Sequence, residues 1–158
     1  MNEFPNMIFV YVATAVISYL IGSLNMAILI SKFHKSKDIR DYGSGNAGMT
    51  NMLRTFGKRA ATWTFVGDFL KGAIVVFVAR EIGKSLQMNL DLAYIAALFV
   101  MLGHIYPLYF GFKGGKGIAS TFGLILAFHP WFIPMGFIVF LGIFMTTHYV
   151  SLGSLLIY

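Results

Sequence analysis

The chain has 158 residues, of which 58% are hydrophobic and only 11% are charged. Soluble domains carry about 25% charged residues, so this composition, with a mean hydropathy of +0.75, predicts an integral membrane protein. The 16% aromatic content and the absence of cysteine exclude a disordered chain and a disulfide scaffold. The formal charge of +6 does not indicate nucleic-acid binding, because the few charges are not spread over a polar surface.

Apolar stretches predict an all-α bundle of about five transmembrane helices, forming one domain over residues 1–158. The first stretch, residues 7–30, contains no charge. No basic segment precedes it, it is too long for a signal-peptide core and no cleavage site follows it, so we interpret it as a retained span and not a signal peptide. Residues 150–158 are too few to cross and resemble the opening of another span. The remaining predicted spans are residues 60–79, 92–110, 118–128 (short) and 131–145.

The charges predict the orientation of the bundle. Residues 32–59 contain seven basic and two acidic residues, whereas residues 80–91 contain two of each. By the positive-inside tendency the first segment is cytoplasmic and the N-terminus lies outside. The second glycine-rich loop, residues 111–117, follows two further spans and is therefore expected on the same cytoplasmic side.

Two glycine-rich loops offer phosphate-binding chemistry. Residues 43–48 match G-x-G-x-x-G, but no buried strand precedes them, so a dinucleotide fold is excluded; residues 111–117 do not have Walker A spacing. One such loop alone is typical of an ordinary connector. Two on one side, beside charges inside a span, favour an anion site. The candidate donors and cations are Ser44, Asn46, Thr50, Asn51, Arg40, Arg54, Lys113 and Lys116.

Three ionisable residues fall within predicted spans. Asp68 and Lys71 are three residues apart and so share a helix face, either as a structural ion pair or as part of a site. His104 precedes the second loop, where it either packs by hydrogen bonding or contacts phosphate. No spacing of His, Cys, Asp or Glu suggests a metal site, and no cofactor is predicted.

Three blocks together resemble a known family. They are residues 38–54 (DIRDYGSGNAGMTNMLR), 68–72 (DFLKG) and 103–119 (GHIYPLYFGFKGGKGIA). In this order and spacing they resemble the bacterial acyl-phosphate:glycerol-3-phosphate acyltransferases, the PlsY family. The likeness covers nearly the whole chain. Family members extend further and carry a third block near the C-terminus, so the resemblance predicts that this chain is truncated.

The resemblance implies a multi-pass enzyme of the cytoplasmic membrane that transfers a fatty acyl group from acyl phosphate to the sn-1 hydroxyl of glycerol 3-phosphate. The products would be lysophosphatidic acid and phosphate, with neither acyl-CoA nor acyl carrier protein as direct donor. The implied partners are these substrates, membrane lipids and, functionally, an acyl carrier protein:phosphate acyltransferase. The implied catalytic residues are Ser23, Arg40, Ser44 and His104. The implied substrate-binding residues are Gly43, Gly45, Asn46, Gly48, Thr50, Asn51, Arg54, Asp68, Lys71, Lys113, Gly114, Gly115, Lys116 and Gly117.

The expected chemistry needs no covalent nucleophile. Acyl phosphate is a mixed anhydride with a good leaving group, so holding two phosphate-bearing substrates together and neutralising charge would suffice. A His or a substrate phosphate oxygen would act as the base. The alternatives are a non-catalytic truncated paralogue that binds phosphate or lipid headgroups and, less favoured because no repeat is evident, a small transporter.

Overall fold

The structure, a computed structural model, describes residues 3–147 and arranges them as six α-helices. No strand occurs between residues 3 and 147, which confirms the all-α prediction. Two short 3-10 turns, Ile39–Asp41 and Leu108–Phe110, lie just before the two glycine-rich loops. The helices are α1 (Glu3–Gly22), α2 (Met26–Lys35), α3 (Met49–Ser85), α4 (Leu92–Ile105), α5 (Ile118–Phe128) and α6 (Phe132–Thr147).

The first predicted span is broken. Residues 7–30 were expected to form one helix, but α1 ends at Gly22 and α2 begins at Met26, with a bend of 42° between them. Asn25 starts α2 as its N-cap, since its side-chain oxygen accepts the Ile28 N–H at 3.1 Å. The prediction of one continuous helix is therefore wrong, because it followed the high average hydropathy of residues 7–30 and not the small and polar residues Gly22, Ser23 and Asn25 at the break.

Helix α3 is the longest element and begins inside the segment that the sequence predicted as a polar loop. It runs for 37 residues from Met49, so it contains the basic residues Arg54, Lys58 and Arg59 as well as the predicted second span. A non-helical conformation at Gly57 (φ 83°) kinks it near its start. Residues 49–56 thus form a short arm of α3, and the part of α3 after Gly57 is the portion long enough to cross a membrane.

Small residues let the helices cross closely. A Cβ at Gly103 of α4 would collide with the Tyr19 carbonyl of α1, and one at Gly123 of α5 would collide with the Phe69 carbonyl of α3. Helix association in a bilayer depends on such close backbone packing, because lipid tails supply no hydrophobic driving force between helices. These two crossings hold α1 against α4 and α3 against α5.

Two described helical segments, Met49–Ser85 and Leu92–Phe110, are long and apolar enough to cross a membrane, and the bent pair α1–α2 makes a third if it counts as one span. Helix α5 has 11 residues, which is about 16 Å at 1.5 Å per residue. That α5 and α6 also cross, giving five spans in all, stays a prediction.

Candidate active site

A buried ion pair contacts the backbone at the break between α1 and α2. The Lys71 Nζ is 2.7 Å from the Asp68 Oδ1, as the three-residue spacing predicted, and both side chains are buried. Lys71 also donates to the carbonyls of Gly22 (3.1 Å) and Leu24 (2.9 Å), while Asp68 accepts the Met26 N–H at 3.3 Å. The pair therefore satisfies backbone groups that a continuous helix would have bonded internally. These contacts support a structural role; the predicted substrate-binding role of the pair stays a prediction.

His104 is fixed by the same cluster. Its Nδ1 lies 3.0 Å from the Lys71 Nζ and 3.5 Å from the Ser120 Oγ. The same Nδ1 is 3.5 Å from the Asp68 Oδ1. Because an ammonium group only donates and the Lys71 contact is the shorter of the two, we assign Nδ1 as its acceptor and place the ring proton on Nε2. Nε2 faces Gly115 of the second loop so closely that a Cβ there would collide with it. The ring therefore presents a hydrogen-bond donor to the loop and the cavity beside it.

Arg40 joins the two glycine-rich loops. Its guanidinium donates to the Asp38 carboxylate through Nε (2.9 Å) and Nη2 (2.7 Å), and Nη1 donates to the carbonyls of Phe110 (2.6 Å) and Lys113 (3.1 Å). The bidentate contact with Arg40 holds the pKa of the Asp38 carboxyl well below its usual range. The contacts to the second loop confirm the prediction that both loops lie on one side.

Asn51 holds the first loop from within. Its amide nitrogen donates to the carbonyls of Ile39 (3.1 Å) and Tyr42 (2.9 Å), and its oxygen accepts the Ser44 N–H at 3.0 Å. The side chain is buried; its bond to Ile39 is buried as well, and the bonds to Tyr42 and Ser44 are partly buried. Asn51 therefore shapes the loop around Gly43, which approaches it too closely to carry a Cβ.

The second loop is held by backbone and by Ser23. Gly114 and Gly115 donate their N–H groups to the carbonyls of Ile105 and His104 at the end of α4, at 3.0 and 3.2 Å. The buried Ser23 Oγ donates to the Tyr19 carbonyl and accepts the Leu108 N–H at 3.2 Å. Ser23 thus connects the break in the first span to the start of this loop.

A cavity of about 620 Å³ opens between the two loops and runs down between α3 and α5. Its polar end is formed by Asn46, Thr50 and Lys116, and Asp68 and His104 reach it from below. The rest of the wall is apolar and consists mainly of Leu53, Phe65, Phe69, Phe122 and Ile133. One compartment therefore combines cationic and hydrogen-bonding groups with a long apolar channel.

The structure divides the predicted site residues into two groups. Those lining the cavity are Asn46, Gly48, Thr50, Asp68, His104, Lys116 and Gly117. Those outside its lining are Ser23, Arg40, Gly43, Ser44, Gly45, Asn51, Arg54, Lys71, Lys113, Gly114 and Gly115. Within the second group, the contacts above place Ser23, Arg40 and Asn51 in the framework that holds the loops.

Sequence reasoning missed the apolar wall. Phe65 and Phe69 are four residues apart on α3, stack at 5.8 Å between ring centroids, and both line the cavity. Their spacing indicated one helix face, but nothing distinguished that face from one in contact with lipid. Ser120 was also missed, because its contact with His104 joins positions 16 residues apart.

The fold and the site define a class of integral membrane protein with a loop-lined polar site above an apolar channel. A family model described as "Glycerol-3-phosphate acyltransferase" matches residues 12–158. The chain belongs to this family.

Individual relatives have the same name as the family model. The chain is 43% identical over 148 residues to a glycerol-3-phosphate acyltransferase of Clostridioides difficile (strain 630), covering 93% of this chain and 72% of that protein. It is 44% identical over 119 residues to the enzyme of the same name from Neisseria meningitidis serogroup C (strain 053442), covering 75% of this chain and 60% of that protein. The chain is thus shorter than the relatives that it matches.

Two crystal structures of PlsY (YgiH), an integral membrane glycerol 3-phosphate acyltransferase, have the same fold. The glycerol 3-phosphate form superposes with a TM-score of 0.84 at 39% identity, covering 93% of this chain and 72% of that one. The lysophosphatidic acid form superposes with a TM-score of 0.80 at 37% identity, covering 93% of this chain and 71% of that one.

Proposed function

We propose that this chain acylates glycerol 3-phosphate, taking a fatty acyl group from acyl phosphate and delivering it to the sn-1 hydroxyl to give lysophosphatidic acid and phosphate. The family and the glycerol 3-phosphate and lysophosphatidic acid forms of PlsY support the acceptor and the product class. The donor, the sn-1 position and the residue roles are proposals from the chemistry of the site.

The single observation that carries the proposal is the cavity between the loops. Its polar end suits a phosphate, and its apolar channel of Leu53, Phe65, Phe69 and Phe122 suits a fatty acyl chain. A volume of about 620 Å³ lies within the range of sites for small ligands. A reaction that joins a water-soluble phosphate compound to a fatty acyl chain needs a polar and an apolar environment in the same cavity.

At the polar end, the phosphate would meet Lys116 and the beginning of α3. Gly48 begins α3 without a side-chain cap, so the backbone N–H groups of the first turn are suited to an anion. Asn46 and Thr50 add side-chain donors at the same place. Lys116 supplies positive charge from the opposite loop.

The reaction balances without a protein nucleophile. The glycerol hydroxyl oxygen bonds to the acyl carbonyl carbon, the bond from that carbon to the phosphate oxygen breaks, and the hydroxyl proton passes to a phosphate oxygen. His104 presents Nε2–H toward the cavity in the assigned tautomer, so it serves as a donor to a phosphate or carbonyl oxygen and not as the base. Holding the two substrates side by side then supplies the main acceleration.

We also propose that the loops face the cytoplasm and the N-terminus faces outward, following the basic residues of the first loop. The glycerol phosphate would enter from water and the acyl chain from the bilayer between helices. An acyl carrier protein:phosphate acyltransferase is the expected source of the donor.

A second candidate is binding of phosphate or lipid headgroups without turnover. It is favoured by the bonding of Asp68, Lys71 and His104, since these groups interact with one another and with the backbone at the helix break. Such a cluster is needed for folding whether or not the protein catalyses a reaction.

The experiment incubates the purified chain in lipid nanodiscs with palmitoyl phosphate and radiolabelled glycerol 3-phosphate, and measures labelled lysophosphatidate and released phosphate. Equal formation of both products supports the proposal. Product from palmitoyl-CoA but not from palmitoyl phosphate contradicts the donor. Saturable binding of palmitoyl phosphate with no product, while the Clostridioides difficile relative turns over in parallel, favours the second candidate.

Lys116→Met tests the phosphate end. A hydrogen bond to a charged group contributes about 1.5–3 kcal/mol, so kcat/KM should fall at least about tenfold. Lys37→Met is the matched control, because Lys37 is also an exposed basic residue of the loop region but does not line the cavity. Equal rates for the two variants would contradict the role of Lys116.

A further inference from the structure

A second groove lies between α2 and α3 and shares no lining residue with the active-site cavity. Its volume is about 780 Å³. It opens beside the kink at Gly57 (φ 83°), where the short arm of α3 departs from the membrane-length portion. No element among residues 3–147 fills it, so its surface is available to the surroundings of the protein.

The groove is basic at one end and apolar along the rest. His34, Lys58 and Arg59 stand at the end next to the loops, and Leu29, Ile30 and Trp63 line the wall below. Trp63 follows Arg59 by four residues, about 6 Å along a helix. No acidic side chain lines the groove among the described residues. The positive charge at this end therefore has no carboxylate of the wall to neutralise it.

This arrangement matches the depth profile of a membrane leaflet. Tryptophan is enriched at the headgroup level, and basic side chains near it attract anionic lipids. Trp63 is 67% exposed, which suits contact with lipid. The basic end would lie among the headgroups while Leu29 and Ile30 lie in the hydrocarbon.

We propose that this groove binds one anionic phospholipid of the surrounding membrane. The lipid phosphate contacts Lys58 and Arg59, and an acyl chain lies along Leu29, Ile30 and Trp63. The uncompensated basic end selects an anionic over a zwitterionic headgroup. The site is separate from the acyltransfer cavity, so the proposal does not depend on the proposed function.

The chain offers a direct probe, because it has two tryptophans and Trp63 lines the groove. Trp131→Phe removes the other one. The variant is reconstituted in phosphatidylcholine bilayers that contain either phosphatidylglycerol or phosphatidylcholine with brominated acyl chains, and quenching of Trp63 fluorescence is followed against the brominated fraction. We expect brominated phosphatidylglycerol to bind about five- to tenfold more strongly than brominated phosphatidylcholine.

Lys58→Gln and Arg59→Gln, each in the Trp131→Phe background, should each reduce this preference several-fold, and together they should bring it close to one. Lys37→Gln removes an exposed basic residue outside the groove and should leave the preference unchanged. Retained quenching by brominated phosphatidylcholine in every variant shows that Trp63 still faces lipid in a folded protein. Equal quenching by the two lipids before any basic residue is changed, or a full preference in the doubly substituted protein, would overturn the proposal.

Discussion

Replacing Lys71 by methionine should strongly destabilise the fold, and the contacts allow the size of the effect to be estimated. Lys71→Met removes the donor to the Gly22 and Leu24 carbonyls and the cation paired with Asp68 at 2.7 Å. The side chains of Lys71 and Asp68 are only 7% and 2% exposed, so water cannot replace the lost partner at the carboxylate. Breaking a buried pair in this way costs about 3–5 kcal/mol.

Lys84→Met provides a matched control on the same helix. Lys84 pairs with Glu81 at the same spacing and the same 2.7 Å distance, but its side chain is 65% exposed. An exposed pair of this kind contributes at most about 0.5 kcal/mol. The two substitutions therefore differ in burial and in the bonds from Lys71 to the Gly22 and Leu24 carbonyls, and both differences should make Lys71→Met the more destabilising.

A double variant tests whether the unpaired charge of Asp68 causes the destabilisation. Asp68→Asn combined with Lys71→Met removes both charges but keeps an oxygen that can accept the Met26 N–H. It should be about 2 kcal/mol more stable than Lys71→Met alone, since an uncompensated charge costs more than an unpaired amide.

The assay is equilibrium unfolding in mixed micelles with increasing dodecyl sulfate, followed by far-UV circular dichroism. A Lys71→Met effect as small as that of Lys84→Met would refute the structural reasoning. So would a double variant less stable than the single one. A Lys71→Met protein with unchanged stability but lost acyl transfer would instead favour the predicted substrate-binding role.

Three further predictions concern the cluster and the first loop. In ¹⁵N-histidine spectra, His104 should show an unprotonated Nδ1 and a protonated Nε2. In Lys71→Met the ring should no longer prefer this tautomer. The opposite tautomer in the unmodified protein would contradict the assignment. Asn51→Ala should cost about 2–4 kcal/mol, because it leaves buried backbone groups unpaired, and should speed hydrogen exchange at residues 39–48; unaltered exchange would argue against its role in the loop. Because the pKa of Asp38 is lowered in the fold, its carboxylate stabilises the protein above the usual value of 3.8 and this contribution is lost as the pH falls below it. The unmodified protein should thus have a higher free energy of unfolding than Asp38→Asn at pH 6, and this difference should shrink toward pH 3. A difference that does not depend on pH would contradict the ion pair with Arg40.

Local patterns were sufficient for some of this architecture. The end of the second glycine-rich loop at Gly117 and the break at His129 and Pro130 predicted an apolar segment over residues 118–128, and these are the bounds of α5. The three-residue spacing of Asp68 and Lys71 predicted their pairing, because neighbouring turns of a helix bring such residues together. Counting basic residues and spans placed the two glycine-rich loops on one side, where Arg40 joins them.

Within residues 7–30 only Gly22, Ser23 and Asn25 indicate the break in the first span, and the partners that stabilise it lie elsewhere. An apolar stretch of that length favours a continuous helix unless something else satisfies the freed backbone groups. Those partners are Lys71 and Asp68, more than 40 residues further along the chain. The apolar channel was unpredictable for a similar reason, since a phenylalanine that lines a cavity and one that faces lipid have the same local pattern.

The same contacts bear on how phosphate is recognised. The family resemblance implied a catalytic role for Arg40, and its position beside a glycine-rich loop made it a candidate cation for phosphate. A guanidinium has five N–H groups, and four bonds from Arg40 already go to Asp38, Phe110 and Lys113. Most of its donor capacity therefore holds the loops together, and the role of Lys116 and of the first turn of α3 in phosphate recognition stays a proposal. Loss of Arg40 would then weaken binding mainly by letting the two loops separate.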